Sequence, residues 1–127
     1  MNKMILLASI VLLTTACNLQ VTPTPVNSGI TGKVTVGPMC PVMIEGQDCP
    51  DQPYQATITV NNPEGKKIVQ FQTDEEGNFK IPLSPGEYIL HPETPEGKPL
   101  PFAGEQKFTV LPGEFTRINV LYDSGIR

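Results

Sequence analysis

Residues 55–73 read Gln55-Ala56-Thr57-Ile58-Thr59-Val60-Asn61-Asn62-Pro63-Glu64-Gly65-Lys66-Lys67-Ile68-Val69-Gln70-Phe71-Gln72-Thr73, and this stretch decides the fold. Ala56, Ile58 and Val60 alternate with Gln55, Thr57 and Thr59, so one side of an extended chain is apolar and the other polar. Asn61-Asn62-Pro63-Glu64-Gly65 is a turn, because proline fixes φ and glycine supplies the positive φ that closes a tight reversal. Residues 67–73 then form a second strand around Val69 and Phe71.

The same grammar extends in both directions. Upstream, Ile30, Gly32, Val34 and Val36 alternate with Thr31, Lys33 and Thr35. Downstream, Thr73-Asp74-Glu75-Glu76-Gly77-Asn78 forms a turn into Phe79, Ile81 and Leu83. Ser84-Pro85-Gly86 forms another before Glu87-Tyr88-Ile89-Leu90-His91. A proline-rich loop covers residues 92–102, and two last strands at 106–111 and 115–122 are parted by Pro112-Gly113-Glu114. No apolar run keeps helical spacing over three turns, and 14 prolines would break most helices. Seven short strands with closely spaced turns predict an all-β, antiparallel β-sandwich of Greek-key type over residues 29–127. Phe71, Phe79, Tyr88, Phe108, Ile118 and Val120 are its expected core, in a chain with no Trp. Prolines and charges are expected to guard the strand edges.

The front of the chain is of another kind. Lys3 precedes an apolar run over residues 4–13, half the roughly 20 residues a membrane-spanning helix needs and the length of a signal-peptide core. Leu13-Thr14-Thr15-Ala16-Cys17 follows, with Thr14 where a Leu is usual, and resembles the lipobox of bacterial lipoproteins. The resemblance implies a signal over residues 1–16, cleavage before Cys17, and acyl chains (palmitate among them) on Cys17. A secretory signal cut nearby would leave Cys17 a free thiol. Residues 17–28, with two prolines and no periodicity, read as a lipidated cysteine and an extended tether. Asn18 in place of Asp resembles an outer-membrane destination where the cell has two membranes; otherwise the anchor lies in the plasma membrane. Both addresses are outside the cytoplasm.

Losing residues 1–16 of 127 leaves 111, enough for one domain, and losing Lys3 turns a formal charge of −4 into −5. That balance excludes a nucleic-acid partner, whose phosphates need a basic footprint. With Cys17 assigned to lipid, Cys40 and Cys49 remain, and outside the cytoplasm they are expected to pair as a disulfide. A zinc site would need four ligands, and His91 is the one histidine, so no metal and no cofactor are expected.

Three motifs then show what the sandwich resembles. They are Gly29-Ile30-Thr31-Gly32-Lys33-Val34, Thr73-Asp74-Glu75-Glu76-Gly77-Asn78-Phe79 and Leu83-Ser84-Pro85-Gly86-Glu87-Tyr88. Their order resembles the carboxypeptidase regulatory-like domains, prealbumin-like sandwiches that serve as accessory, binding or stalk modules and are not peptidases. The motifs specify turns and carry no chemistry.

Residues that tempt a chemical reading have plainer alternatives. Asp74-Glu75-Glu76-Gly77-Asn78 is rich in oxygen but lacks the alternating ligands of a calcium loop, and reads as a hairpin turn with Asp74 capping it. Residues 88–97 are similar to the segment carrying the catalytic Glu of collagen-adhesin B-type repeats, whose Lys–Asn bond would here join Lys33 to Asn119. Both lie on the strand phase opposite Val34 and Val120, facing solvent. His91 has no Gly-x-Ser-x-Gly elbow to serve and is expected to face solvent. Residues 38–53, with Met39, Val42, Met43 and Ile44, hold more apolar side chains than a solvated loop needs. Together with residues 92–102 they form a binding surface for an envelope protein or a glycan, or else they cover the open end of the core. The expectation is a non-catalytic binding or structural module of the bacterial cell envelope. A carbohydrate-binding module and an accessory or inhibitor domain are its alternatives.

Overall fold

The structure, a computed structural model, describes residues 27–41, 45, 46 and 48–127. Cys17, the leader, most of the tether, and Val42, Met43 and Ile44 lie outside the described residues. Nine strands follow in order: β1 (Gly29–Gly37), β2 (Gln52–Pro53), β3 (Thr57–Asn61), β4 (Lys67–Gln72), β5 (Asn78–Pro82), β6 (Gly86–Pro92), β7 (Gln106–Val110), β8 (Phe115–Arg117) and β9 (Val120–Asp123). They form two sheets packed as a sandwich. Sheet I is built around β1, with β5 and β2 on its antiparallel side and β8 and β9 on its parallel side. Sheet II has the order β4-β3-β6-β7, all antiparallel.

All seven expected strands occur, but the last is two. Ile118 donates its N–H to the Thr31 carbonyl at 2.8 Å, while its own carbonyl presses against Gly32, where a Cβ would overlap it. That close approach bends the chain between β8 and β9, and only a glycine on β1 admits it. The short β2 adds a ninth strand, which an exposed Gln-Pro pair gives no pattern to reveal.

The turns after residues 73 and 84 depart from expectation in a more useful way. β4 belongs to sheet II and β5 to sheet I, so residues 73–78 make a corner between sheets, where a hairpin was expected. Ser84-Pro85-Gly86 is a second corner, returning the chain to sheet II.

Each corner is nailed by hydrogen bonds. Buried Thr73 accepts from the Ala56 N–H through Oγ1 at 2.9 Å and donates to the Tyr54 carbonyl at 3.3 Å. Asp74 Oδ1 accepts from the N–H groups of Glu76 (3.0 Å) and Asn78 (2.8 Å), which occupies it in capping the turn. Gly77 at φ 78° receives the Val34 N–H on its carbonyl at 2.8 Å, and a Cβ there would overlap the Val34 carbonyl. At the second corner the Tyr88 hydroxyl donates back to the Ser84 carbonyl at 2.6 Å, a tyrosine corner in miniature. Ser28, expected as the last tether residue, is buried and donates its hydroxyl to the Leu83 carbonyl.

The core corrects the expected list. Phe79, Ile118 and Val120 are buried, whereas Phe71, Tyr88 and Phe108 are only half-buried against the core. Phe71 sits on β4 and Phe108 on β7, the outer strands of the four-stranded sheet, and Phe71 packs on Phe79 of β5 at 5.3 Å. Tyr88 stacks on Phe108 at 5.6 Å and shares its exposure. The largest fully buried side chains are Tyr122 on β9 and Ile30, Ile58 and Leu90 on the central strands β1, β3 and β6. Of the edges, β7 is covered from β8, where Thr116 donates to the Thr109 carbonyl at 2.9 Å.

Candidate functional site

β1 runs from Gly29, just after Ser28 where the tether would join, to Gly37, where the long loop leaves, about 30 Å at a strand's rise per residue. The described parts of the two marked loops gather at the Gly37 end. The loop over residues 38–53 is closed there by the Cys40–Cys49 disulfide, with Cα atoms 6.2 Å apart. The segment after Asp123 ties it to the rest: Ser124 donates its N–H to the Gly37 carbonyl and its hydroxyl to the Pro38 carbonyl at 2.6 Å. Phe102 bridges Asp123 in both directions, at 3.1 and 2.7 Å. Residues 38–53 and 92–102 therefore meet at one end of the sandwich, joined through residues 123–125.

Beneath them lies a polar-lined floor. Tyr122, fully buried, packs edge-on against Tyr54 at 4.8 Å and donates its hydroxyl to the Glu93 carbonyl at 2.8 Å. Burial first, and then the charges of Tyr54 and Glu93, hold its pKa far above the usual phenol value, so the hydroxyl remains a donor. A groove of about 310 Å³ runs beside it between residues 54–57 and 93–96, with Glu93 and Glu96 in its wall.

The apolar side chains at this end are exposed rather than folded inward. Phe102 is 54%, Leu100 41% and Met39 37% accessible, and Leu121 on the outer face of β9 reaches 57%. Phe102 and Leu121 share a face, because Phe102 pairs with Asp123 two residues along β9. The result is an exposed patch on the order of a few hundred Å², the size at which surface apolar groups on a monomer tend to have a role. Met39 thus faces solvent. Phe102, Leu100 and Leu121 went unmarked in the sequence, where Leu121 sits in what looks like an ordinary strand and Phe102 ends a proline-rich loop.

The remaining marked residues are placed elsewhere. His91 pairs through Nδ1 with Glu105 at 2.8 Å and lies 3.8 Å from Glu93 through Nε2, with its side chain partly exposed. The two carboxylates sit on opposite ring nitrogens, so they cannot share one ion with the imidazole. Glu93 also accepts from Thr59 at 2.7 Å, and Gln70 donates to Thr59 at 2.9 Å, so a polar ladder crosses sheet II. Asn119 is exposed and Lys33 half-exposed, opposite in phase to Val34 and Val120, as the alternation requires. The isopeptide arrangement is not assembled. Tyr54 packs on buried Tyr122, half-buried Tyr88 stacks on Phe108, and Phe102 is the most exposed aromatic among the described residues.

No protein-family model matches the chain, and no curated protein matches it. Solved structures do. A minor pilin of Streptococcus agalactiae superposes with a TM-score of 0.55 at 11% identity, covering 76% of this chain and 44% of that one. The Bacillus anthracis TIE protein superposes with a TM-score of 0.50 at 22% identity, covering 76% of this chain and 17% of that one. The chain thus spans less than half of the first and about a sixth of the second. At these identities the likeness is one of fold.

Proposed function

We propose that this protein is a lipoprotein of the bacterial envelope, held outside the cytoplasm by acyl chains on Cys17, whose sandwich acts as a non-catalytic binding or structural module. The observation that carries the reading is the separation of Ser28 and Gly37. The chain enters at one end, and the disulfide loop, the residue 92–102 loop and exposed Met39, Leu100, Phe102 and Leu121 stand toward the other. An anchored domain so built holds Phe102, Leu100 and Met39 away from the membrane. Two acyl chains make such anchoring stable, where one gives only marginal binding. The fold likeness to a minor pilin, a protein of the bacterial surface, supports an extracytoplasmic address. The finer kinship, to carboxypeptidase regulatory-like domains, is supported by two of the three motifs folding as inter-sheet corners. Between the alternatives, exposed Phe102 and Leu100 favour recognition of a protein, because two of the three tyrosines that would stack on a sugar, Tyr54 and Tyr122, are engaged with each other.

The test is fractionation with intact mass. The wild-type chain is expected in the membrane fraction, at the mass of residues 17–127 plus acyl chains, and Cys17→Ser is expected to lose both. A Cys17→Ser chain that fractionates and weighs like the wild type, allowing for the one side chain, would overturn the reading.

A further inference from the structure

β6 and β7 are antiparallel neighbours, yet no tight turn joins them: the connection runs from Glu93, just after β6, to Glu105, just before β7. Its middle carries exposed Leu100 and Phe102. The carboxylates at its two ends converge on one side chain. Glu105 Oε1 lies 2.8 Å from Nδ1 of His91, and Glu93 Oε2 lies 3.8 Å from Nε2, on the other side of the ring. Glu93 has further support, because its Oε1 accepts from Thr59, its N–H donates to the Thr57 carbonyl and its carbonyl accepts from Tyr122. The Glu105 carboxylate has His91 as its one partner among the described residues.

A neutral imidazole has one N–H and one lone pair, whereas the protonated ring has two N–H donors. With its proton on Nδ1, the neutral ring donates to Glu105 and turns a lone pair toward Glu93. With the proton on Nε2, it turns that lone pair on Glu105, at the shorter distance. The protonated ring serves both carboxylates and attracts them by charge as well. We propose that His91 is a pH-sensitive clasp on this connection: protonated, it fastens both ends, and neutral, it slackens one of them. The segment bearing Leu100 and Phe102 is therefore held more firmly in mildly acidic surroundings. Other charged groups stand further off. Glu87 shares the face on β6 four residues back, and Lys107 shares it on β7 two residues past Glu105. β3 and β4 present uncharged Thr59 and Gln70. The clasp regulates the surface proposed for protein recognition and rests on that reading for its use, but loop order itself needs neither a partner nor Cys17.

His91 is the chain's one histidine, and histidine is the side chain that ordinarily changes charge between about pH 5 and 8. Asp123, whose backbone bridges Phe102, has its pKa lowered to about 2 and keeps its charge across that window. The experiment follows amide exchange of the purified full chain by NMR at about pH 5.5 and about pH 7.5, each rate divided by that of an unstructured chain at the same pH. The Phe102 amide, which donates to the Asp123 carbonyl, is expected to be about threefold better protected at the lower pH, a size that exposed ion pairs supply. Val60, inside β3, should show no such change. His91→Gln, which takes up no proton in this window, is expected to keep the lower wild-type protection at both pH values. Glu105→Gln should flatten the response as well, while Glu87→Gln should retain it. Far-ultraviolet circular dichroism of each variant confirms folding. Equal protection at the two pH values in the wild type, greater protection at the higher one, or a response that survives His91→Gln or Glu105→Gln would each overturn the proposal.

Discussion

The chain leaves a sheet in two contrasting ways. Between β4 and β5 it crosses to the other sheet in five residues, held by Thr73, Asp74 and Gly77 through side-chain and backbone hydrogen bonds to Tyr54, Ala56 and Val34. Between β1 and β2 it takes the long loop over residues 38–51, closed on itself by a disulfide and tied to the domain through Ser124. The corner is made of backbone partners that the fold itself supplies. The loop is closed by a covalent link and carries Met39, which the fold leaves exposed. The first device secures how the sheets face each other, whereas the second leaves a surface available.

The sharpest way to break this contrast is at Gly77. Its φ of 78° is strained for any residue with a Cβ, and a Cβ would also overlap the Val34 carbonyl. Gly77→Val is expected to lower unfolding free energy by about 4 kcal/mol, combining backbone strain with a steric clash against β1. Urea denaturation would measure it. A loss under about 1 kcal/mol would mean that the corner is replaceable and the contrast is false.

Removing the disulfide tests the other side. Cys40 and Cys49 are separated by nine positions, and a closed loop of that size stabilises by about 2.5 kcal/mol in the chain-entropy account. The Cys40→Ser/Cys49→Ser variant is expected to lose about that much globally. Within the native state, amide exchange should rise around residues 38–53 while Val34 and Gly77, bonded to each other, keep their protection. Equal loss of protection at Val34 would show that the loop and the corner are one cooperative unit.

How much of this was legible follows the same division. Alternation around Ile58 and Val60 and the turn residues at Gly65 and Gly77 revealed strands and their limits, because period and positive φ are properties of a few adjacent residues. Which sheet a strand joins is not local. Asp74 and Gly77 look the same in a hairpin and in a corner, and only the bond from Val34 to Gly77 distinguishes them. The aromatic core was overestimated for a related reason, since Phe71 and Phe108 have the right phase and burial then depends on how far the opposite sheet extends. The Cys40–Cys49 pairing was readable. Phe102 and Leu121 were not, because their neighbourhood is created by the Phe102–Asp123 bridge between distant segments.

The smallest effect concerns that bridge's other partner. Asp123 accepts from Arg127 at 2.9 and 3.1 Å and from the Gly125 N–H at 2.9 Å. The Arg127 hydrogen bonds first, and then the Gly125 N–H, lower its pKa from 3.8 to about 2. A carboxyl with a depressed folded pKa contributes stability above its unfolded value and loses it as pH falls through the folded one. Residues 123–127 are therefore expected to stay fastened down to pH 4 and to release between about pH 4 and 2, with the sheets still intact. Because the pair is exposed, salt should weaken the effect. The Gly125 amide shift reports it directly by NMR: its midpoint is expected near pH 2 in the wild type, and the response should vanish in Asp123→Asn. An ordinary midpoint close to 4 would mean that Arg127 does not hold Asp123, and that the distal end depends on the disulfide loop and the Phe102 bridge alone.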